Sequence, residues 1–332
     1  MQNGSYLVVP FEARAEGGVP ACPFALGGQV TICRRDSSPV SEWMVRVREY
    51  LTVSREHDDF ARFDLGKSHY LLFRIEDEPK DPKEYFKWQA RVSPDPDPIP
   101  RLRSELRLPS DVEHAFAALL IAERTFFHFS SCLVITQDAD DVGVPAVRAL
   151  GRYIRSRIGQ QFGLAVLNAR VLEAARVICG NLKRCPDDAR RPVIAADMLY
   201  RAISENNWRV ELLLLVSALE SLFGSGGGEI SHQVCERAAS TVFGPGPKRL
   251  DAYRRLRAAY DIRSRFVHGQ IARSDPEMAR KAEAELDFVE EIARLSLRRI
   301  LTDESLTDLF CTSTKQLVAH LEESVLAPGN GP

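Results

Sequence analysis

The chain has 332 residues, 45% of them hydrophobic and 27% charged, with a formal net charge of −2. That composition excludes a disordered chain and fits one large or two ordinary folded domains. The near-neutral balance excludes a global field that draws the protein to nucleic acid, so any such binding has to come from a local patch. The seven cysteines, Cys22, Cys33, Cys132, Cys179, Cys185, Cys235 and Cys311, are scattered and never spaced as CxxC. Reduced thiols are therefore expected, rather than a disulfide framework or a zinc site. The start, MQNGSYLVVPFEARAEGG, has no basic segment followed by a long apolar run. No apolar run, Leu212–Val216 included, is long enough to span a bilayer. A cytoplasmic protein with no membrane segment and no cofactor is the expectation.

Residues 1–105 are rich in strand signals. SYLVVP, QVTICRR, HYLLFRIE and FKWQARVS combine β-branched and aromatic residues between Gly, Pro, Asp and Ser clusters. SEWMVRVREYLTVS fits either period. SPDPDPIP, with its closely spaced prolines, reads as a linker, because no helix and no interior strand survives that spacing. Within REHDD, His57 stands among acids with no second His or Cys at ligand spacing, which reads as a solvated charged loop. Trp43 and Trp88 read as core residues.

From residue 106 to 332 the pattern turns helical. LPSDVEHAFAALLIAERTF has a capping Ser or Asp and then apolar residues on one face. FHFSSCLVITQ fits a strand or a buried helix end, whereas VPAVRALGRYIRSRI and GLAVLNARVLEAARVICGNLKR read as helices. VIAADMLYRAISE and NWRVELLLLVSALESLFG form a helical pair, and Gly224–Gly228 follow as a flexible turn rather than a P-loop, since no GK[ST] comes next. EISHQVCERAASTVFG is a short helix stopped by Gly244, with Glu229 suited to its first turn and His232 exposed. Asp275 and Pro276 open a long helix as N-cap and first residue. TKQLVAHLEESVL is the last helix. The fold class is therefore α+β, a β-rich N-terminal domain followed by an all-α bundle.

The helix Lys248–His268 carries the chemistry. Leu250, Tyr253, Leu256, Tyr260 and Val267 recur at helical spacing and read as its core face. Lys248, Arg249, Arg254, Arg255, Arg257, Arg263 and Arg265 make it the densest basic stretch of the chain, opposed by Asp251 and Asp261, and a place for phosphate contacts. It ends YDIRSRFVHG. Arg263 and His268 lie about 140° apart around an ideal helix. Arginine is long, and Gly269 frees the backbone after His268. Histidine exchanges protons near neutral pH, and arginine holds two phosphate oxygens. Together they suit metal-free RNA cleavage with the substrate 2′-hydroxyl as nucleophile. The plainer reading makes His268 a cation at the negative helix end and Arg263 a partner of Asp261 or of a neighbouring helix. Glu220 follows an apolar stretch and faces Arg263 or Arg237 in one reading, solvent in the other. Ser217 is a packing residue, and no GxSxG elbow is present.

Three ordered blocks, ALESLFG, EISHQVCERAASTVFG and YDIRSRFVHG, resemble the Apea-like branch of the HEPN superfamily over residues 195–326. The resemblance implies a bundle of four or five helices, a symmetric homodimer, and a motif of Arg, polar residue and His that maps to Arg263, Ser264 and His268. It implies a metal-independent endoribonuclease whose two motifs meet in a dimer cleft. Such proteins serve as toxins, with an antitoxin or trigger protein as partner, or in phage defence. Its alternative is a non-catalytic module that binds RNA, nucleotide or protein. Ser264 departs from the Asn or Asp of many HEPN ribonucleases. The apolar content of the helices around Leu212–Leu222 is the one hint of a dimer surface, and intrachain packing explains it equally well.

Overall fold

The computed structural model describes residues 4–11, 13–15, 24–27, 30–34, 69–75, 110–124, 131–138, 141–149, 165–185, 191–205, 207–225, 229–270, 275–311 and 314–326. The SPDPDPIP segment, SEWMVRVREYLTVS, FKWQARVS, His57, Trp43 and Trp88 lie outside them. Two compact units account for the chain, one of residues 1–115, 127–153 and 163–176, the other of residues 116–126, 154–162 and 177–332.

The first unit holds the strands. β1 (Gly4–Phe11), β3 (Phe24–Gly27), β4 (Val30–Arg34), β5 (His69–Ile75), β6 (Ser131–Asp138) and β7 (Asp141–Ala149) form one sheet in the order β3-β4-β5-β1-β6-β7. Every neighbouring pair is antiparallel. β1 sits centrally, with Val8 opposite Leu72 on β5 and Leu133 on β6. β2 (Ala13–Ala15) and β8 (Ala165–Leu167) make a separate parallel pair. The β-branched runs SYLVVP, QVTICRR and HYLLFRIE supply β1, β4 and β5.

Two expectations are corrected here. VPAVRA, Val144–Ala149, is not helical, because it belongs to β7. Val142, Val144 and Val147 favour an extended backbone, and Pro145 would break a helix interior. β7 lies at the end of the strand order, where proline is tolerated. Its register against β6 slips between Thr136↔Gly143 and Val134↔Ala146, so the extra residue of a bulge falls at Val144–Pro145. The sheet therefore draws on residues well past the boundary expected near 105.

The helices are α1 (Ser110–Ala122), α2 (Ala169–Arg184), α3 (Arg191–Ser204), α4 (Trp208–Phe223), α5 (Ile230–Val242), α6 (Pro247–Val267), α7 (Pro276–Thr302), α8 (Glu304–Cys311) and α9 (Thr314–Leu326). α1 is buried along Ala115–Ala122 rather than on one face. In the second unit α7 is the hub and touches α3, α4, α5, α6 and α8. It buries Leu286, Val289, Ala293, Leu297 and Ile300 at spacings of three, four, four and three. Asp275 caps it, its Oδ1 accepting from the backbone N–H groups of Glu277 and Met278 at 3.1 and 3.0 Å. The apolar row of α4, Leu212, Leu215, Val216, Leu219 and Leu222, is buried within the chain, so the hint of a dimer surface there has an intrachain explanation.

The C-terminal end of α4 is closed by two arginines from other helices. Arg191 donates through Nη1 to the carbonyls of Ser221, Leu222 and Gly224 at 3.2, 3.3 and 2.7 Å, and Arg237 donates to that of Phe223 at 2.8 Å. The cations meet the negative end of the helix and satisfy carbonyls that have no intrahelical donor. The thiol expectation is corrected at one pair: Cys185 after α2 and Cys311 at the end of α8 are joined, with Cα atoms 5.9 Å apart. Cys33, Cys179 and Cys235 are buried and form no disulfide.

Candidate functional site

α6 begins at Gly246, whose φ of 137° and ψ of −171° only glycine adopts comfortably. It ends in a Schellman motif. The N–H of Gln270 reaches the carbonyl of Arg265 at 2.8 Å, and that of Gly269 reaches Phe266 at 3.0 Å. Gly269 sits at φ 69°, the left-handed conformation this ending requires. His268 is thus the C-cap residue, exposed at the negative end of the helix.

The buried face of α6 differs from the expected one. Ala252, Leu256, Ala259 and Ile262 are buried, whereas Leu250 and Val267 are 49% and 50% exposed. Positions 252, 256, 259 and 263 form one row at helical spacing, so Arg263 extends the buried face rather than the solvent face. Its side chain is 22% exposed.

Glu220 on α4 meets it there. Its Oε2 lies 3.4 Å from Nη2 of Arg263, and its Oε1 accepts a short hydrogen bond from the Tyr260 hydroxyl. The guanidinium carbon of Arg263 lies 5.7 Å from the centre of the Tyr260 ring, and its Nε is buried without an acceptor. Burial first, and then the bond to Glu220, raise the Tyr260 hydroxyl well above the ordinary tyrosine range. Tyr260 therefore stays a donor at neutral pH and holds Glu220 in place. Sequence reading put Tyr260 in the core and missed this contact. The available signal was its i,i+3 spacing to Arg263.

No hydrogen bond or ion pair connects His268 or Ser264 to Arg263 among the described residues. His268 and Ser264 lie four apart on one side of α6, the side that also carries Tyr260, Arg257 and Tyr253. The motif thus places a half-buried arginine and an exposed histidine near one helix end, without direct contact inside one chain.

The basic stretch divides. Arg249 donates to the Val325 carbonyl at 3.1 Å, and Arg257 to Ser231 Oγ at 2.5 Å. Arg255 pairs with Glu285 at 2.8 Å and lies over the Phe288 ring at 4.0 Å. Lys248, Arg254 and Arg265 are exposed, but exposed Asp251 and Asp261 share that surface. The outer face therefore carries mixed charge rather than a phosphate-binding stripe.

The remaining groups have structural explanations. Burial pushes the Cys235 thiol up to about 12, with Asp261 raising it and Arg257 lowering it, so it is no nucleophile at neutral pH. Glu229 is the N-cap of α5 rather than a first-turn residue, at φ 39° and without a side-chain cap bond. His232 is exposed, 3.7 Å from Glu236. No group of three or more His, Cys, Asp or Glu is placed to hold a metal ion among the described residues. No helix among them is long and apolar enough to cross a membrane. No family model, no curated protein and no solved structure matches this chain.

Proposed function

We propose that the chain is a metal-independent endoribonuclease of the HEPN type, acting as a homodimer and serving as a toxin or phage-defence effector. The observation that carries the reading is the Arg263–Glu220–Tyr260 cluster, about a quarter open to solvent, on a helix that ends at an exposed His268. In this mechanism Arg263 binds the non-bridging oxygens of the scissile phosphate and stabilises the added negative charge. The 2′-hydroxyl oxygen forms a bond to phosphorus, and the bond to the 5′-oxygen breaks. His268 moves the proton between them. The products are a 2′,3′-cyclic phosphate and a 5′-hydroxyl. Glu220 positions Arg263, and a phosphate competes with it for a guanidinium held through one long contact.

A binding module is the second reading. The absence of a bond between His268 and Arg263 among the described residues favours it. Incubating wild-type protein and His268→Ala with total RNA in EDTA separates the two. Wild-type fragments ending in 2′,3′-cyclic phosphate, lost in the variant, support the ribonuclease. Binding without turnover, weakened by Arg263→Ala and not by His268→Ala, supports the module.

A further inference from the structure

We infer that the cleft between α5 and the start of α6 binds one nucleotide of a single-stranded RNA and feeds that strand along α6 toward Arg263. The inference rests on the ribonuclease reading and adds a second binding position to it. His232, Glu236, Gly246, Arg249, Leu250 and Tyr253 line the cleft. The Tyr253 and His232 rings stand 5.5 Å apart at 60°, and Leu250, 49% exposed, adjoins them. Rings and an exposed apolar side chain offer a platform for a flat base. Glu236 supplies an acceptor for base N–H groups.

The phosphate side of the cleft is equally defined. Arg249 commits one donor to the Val325 carbonyl, which leaves other donors of its fork. Gly246 provides no side-chain cap and Pro247 no N–H, so the positive end of a 21-residue helix opens at this rim beside Lys248 and Arg249. Among the described residues Glu236 is the one acid lining the cleft, and it lies beside His232. A group with both a flat ring and a negative charge fits these walls better than either alone.

The path to the candidate site follows from helical spacing. Arg249, Tyr253, Arg257, Tyr260, Ser264 and His268 recur at steps of four, four, three, four and four, so they form one row along α6. All are half-buried except exposed His268. Arginine and tyrosine alternate along the first part of this row, the pairing that suits phosphate and base in a single strand. Tyr253 and Arg263 are about 15 Å apart along the helix axis, a span that a few nucleotides bridge.

The test is fluorescence anisotropy with a labelled oligoadenosine of about ten nucleotides, a length within common single-strand site sizes. The protein is full-length and carries His268→Ala so that the strand survives. Tyr253→Leu is expected to weaken binding roughly tenfold and Tyr253→Phe to leave it within about twofold, because stacking needs the ring. Arg249→Gln, a second variant on the other wall, weakens binding severalfold and lowers its salt dependence. Lys281→Gln on α7 changes neither. Wild-type cleavage of total RNA is followed in parallel, and circular dichroism melts show that each variant folds. Wild-type affinity in both Tyr253→Leu and Arg249→Gln overturns the inference while cleavage keeps the ribonuclease reading. Equal losses in Tyr253→Phe and Tyr253→Leu overturn the stacking role. A protein that neither binds nor cleaves overturns both readings.

Discussion

Two charged clusters in the helical unit use the same residue types in opposite ways. Around Glu290 on α7, Arg124 Nε lies at 2.5 Å and Arg294 Nε at 3.9 Å, while Asp287 and Glu291 hold the outer nitrogens of those arginines at 2.9 and 2.8 Å. Glu290 is 1% exposed and Arg294 7%, and neither oxygen of Glu290 receives an aligned hydrogen bond. Around Glu220, the carboxylate has a tyrosine donor and one arginine, at a quarter exposure. In the first cluster the central Glu290 is sealed from solvent, while its outer members Asp287 and Glu291 stay 36% and 34% exposed. In the second the shared carboxylate itself, Glu220, is a quarter open to solvent. Accessibility rather than charge separates a structural cluster from a candidate site.

The comparison can be broken at several points. The largest expected effect is on stability: Arg124→Ala removes a partner of buried Glu290 and should cost about 3–5 kcal/mol in urea unfolding. A loss below about 1 kcal/mol would mean that Glu290 is hydrated or takes up a proton once Arg124 is gone. Next, Arg263→Ala should lower RNA cleavage by about 10²–10³-fold, while losing less stability than Arg124→Ala. A third effect is in pH. Burial, more than the opposing Arg124 and Arg294, raises Glu290 from 4.5 to about 7. The folded state then prefers protonated Glu290. That stabilising contribution is complete below about pH 4.5 and fades as pH rises through about 7. Stability should fall over this window in the wild type and fall less in Glu290→Gln. The smallest effect is Glu220→Gln, which should change stability by no more than about 1 kcal/mol, as for partly exposed pairs. A larger loss would place Glu220 with the structural cluster.

Much of the frame was legible, and the exceptions share physical causes. β1, β4 and β5 announce themselves through β-branched runs. β7 does not, because Ala146, Arg148 and Ala149 suit a helix and mask the strand preference of its valines and Pro145, which the pairing with β6 realises. The long helix α7 was readable from Asp275 and Pro276, whose capping is local. The core face of α6 was misread because Leu250 and Val267 outweigh alanines on any hydrophobicity count. Here small Ala252 and Ala259 face the bundle, and the large residues stand near the helix ends. Arg263 was legible as a special residue but not as a half-buried one. Tyr260 was legible as apolar bulk but not as a donor to a carboxylate 40 residues away. The contacts of Arg191, Arg237 and Arg255 are tertiary and leave no local trace.

The bond between Cys185 and Cys311 spans 126 positions. Everything from α3 through α7 lies inside that ring, including Glu220, Tyr260, Arg263 and His268. Such a closure removes about 5 kcal/mol of chain entropy from the unfolded state. It also makes the candidate site topologically enclosed: one backbone cut between the two cysteines opens the ring without freeing either piece. A nicked chain would run as one species on a gel until a reductant separates it into two.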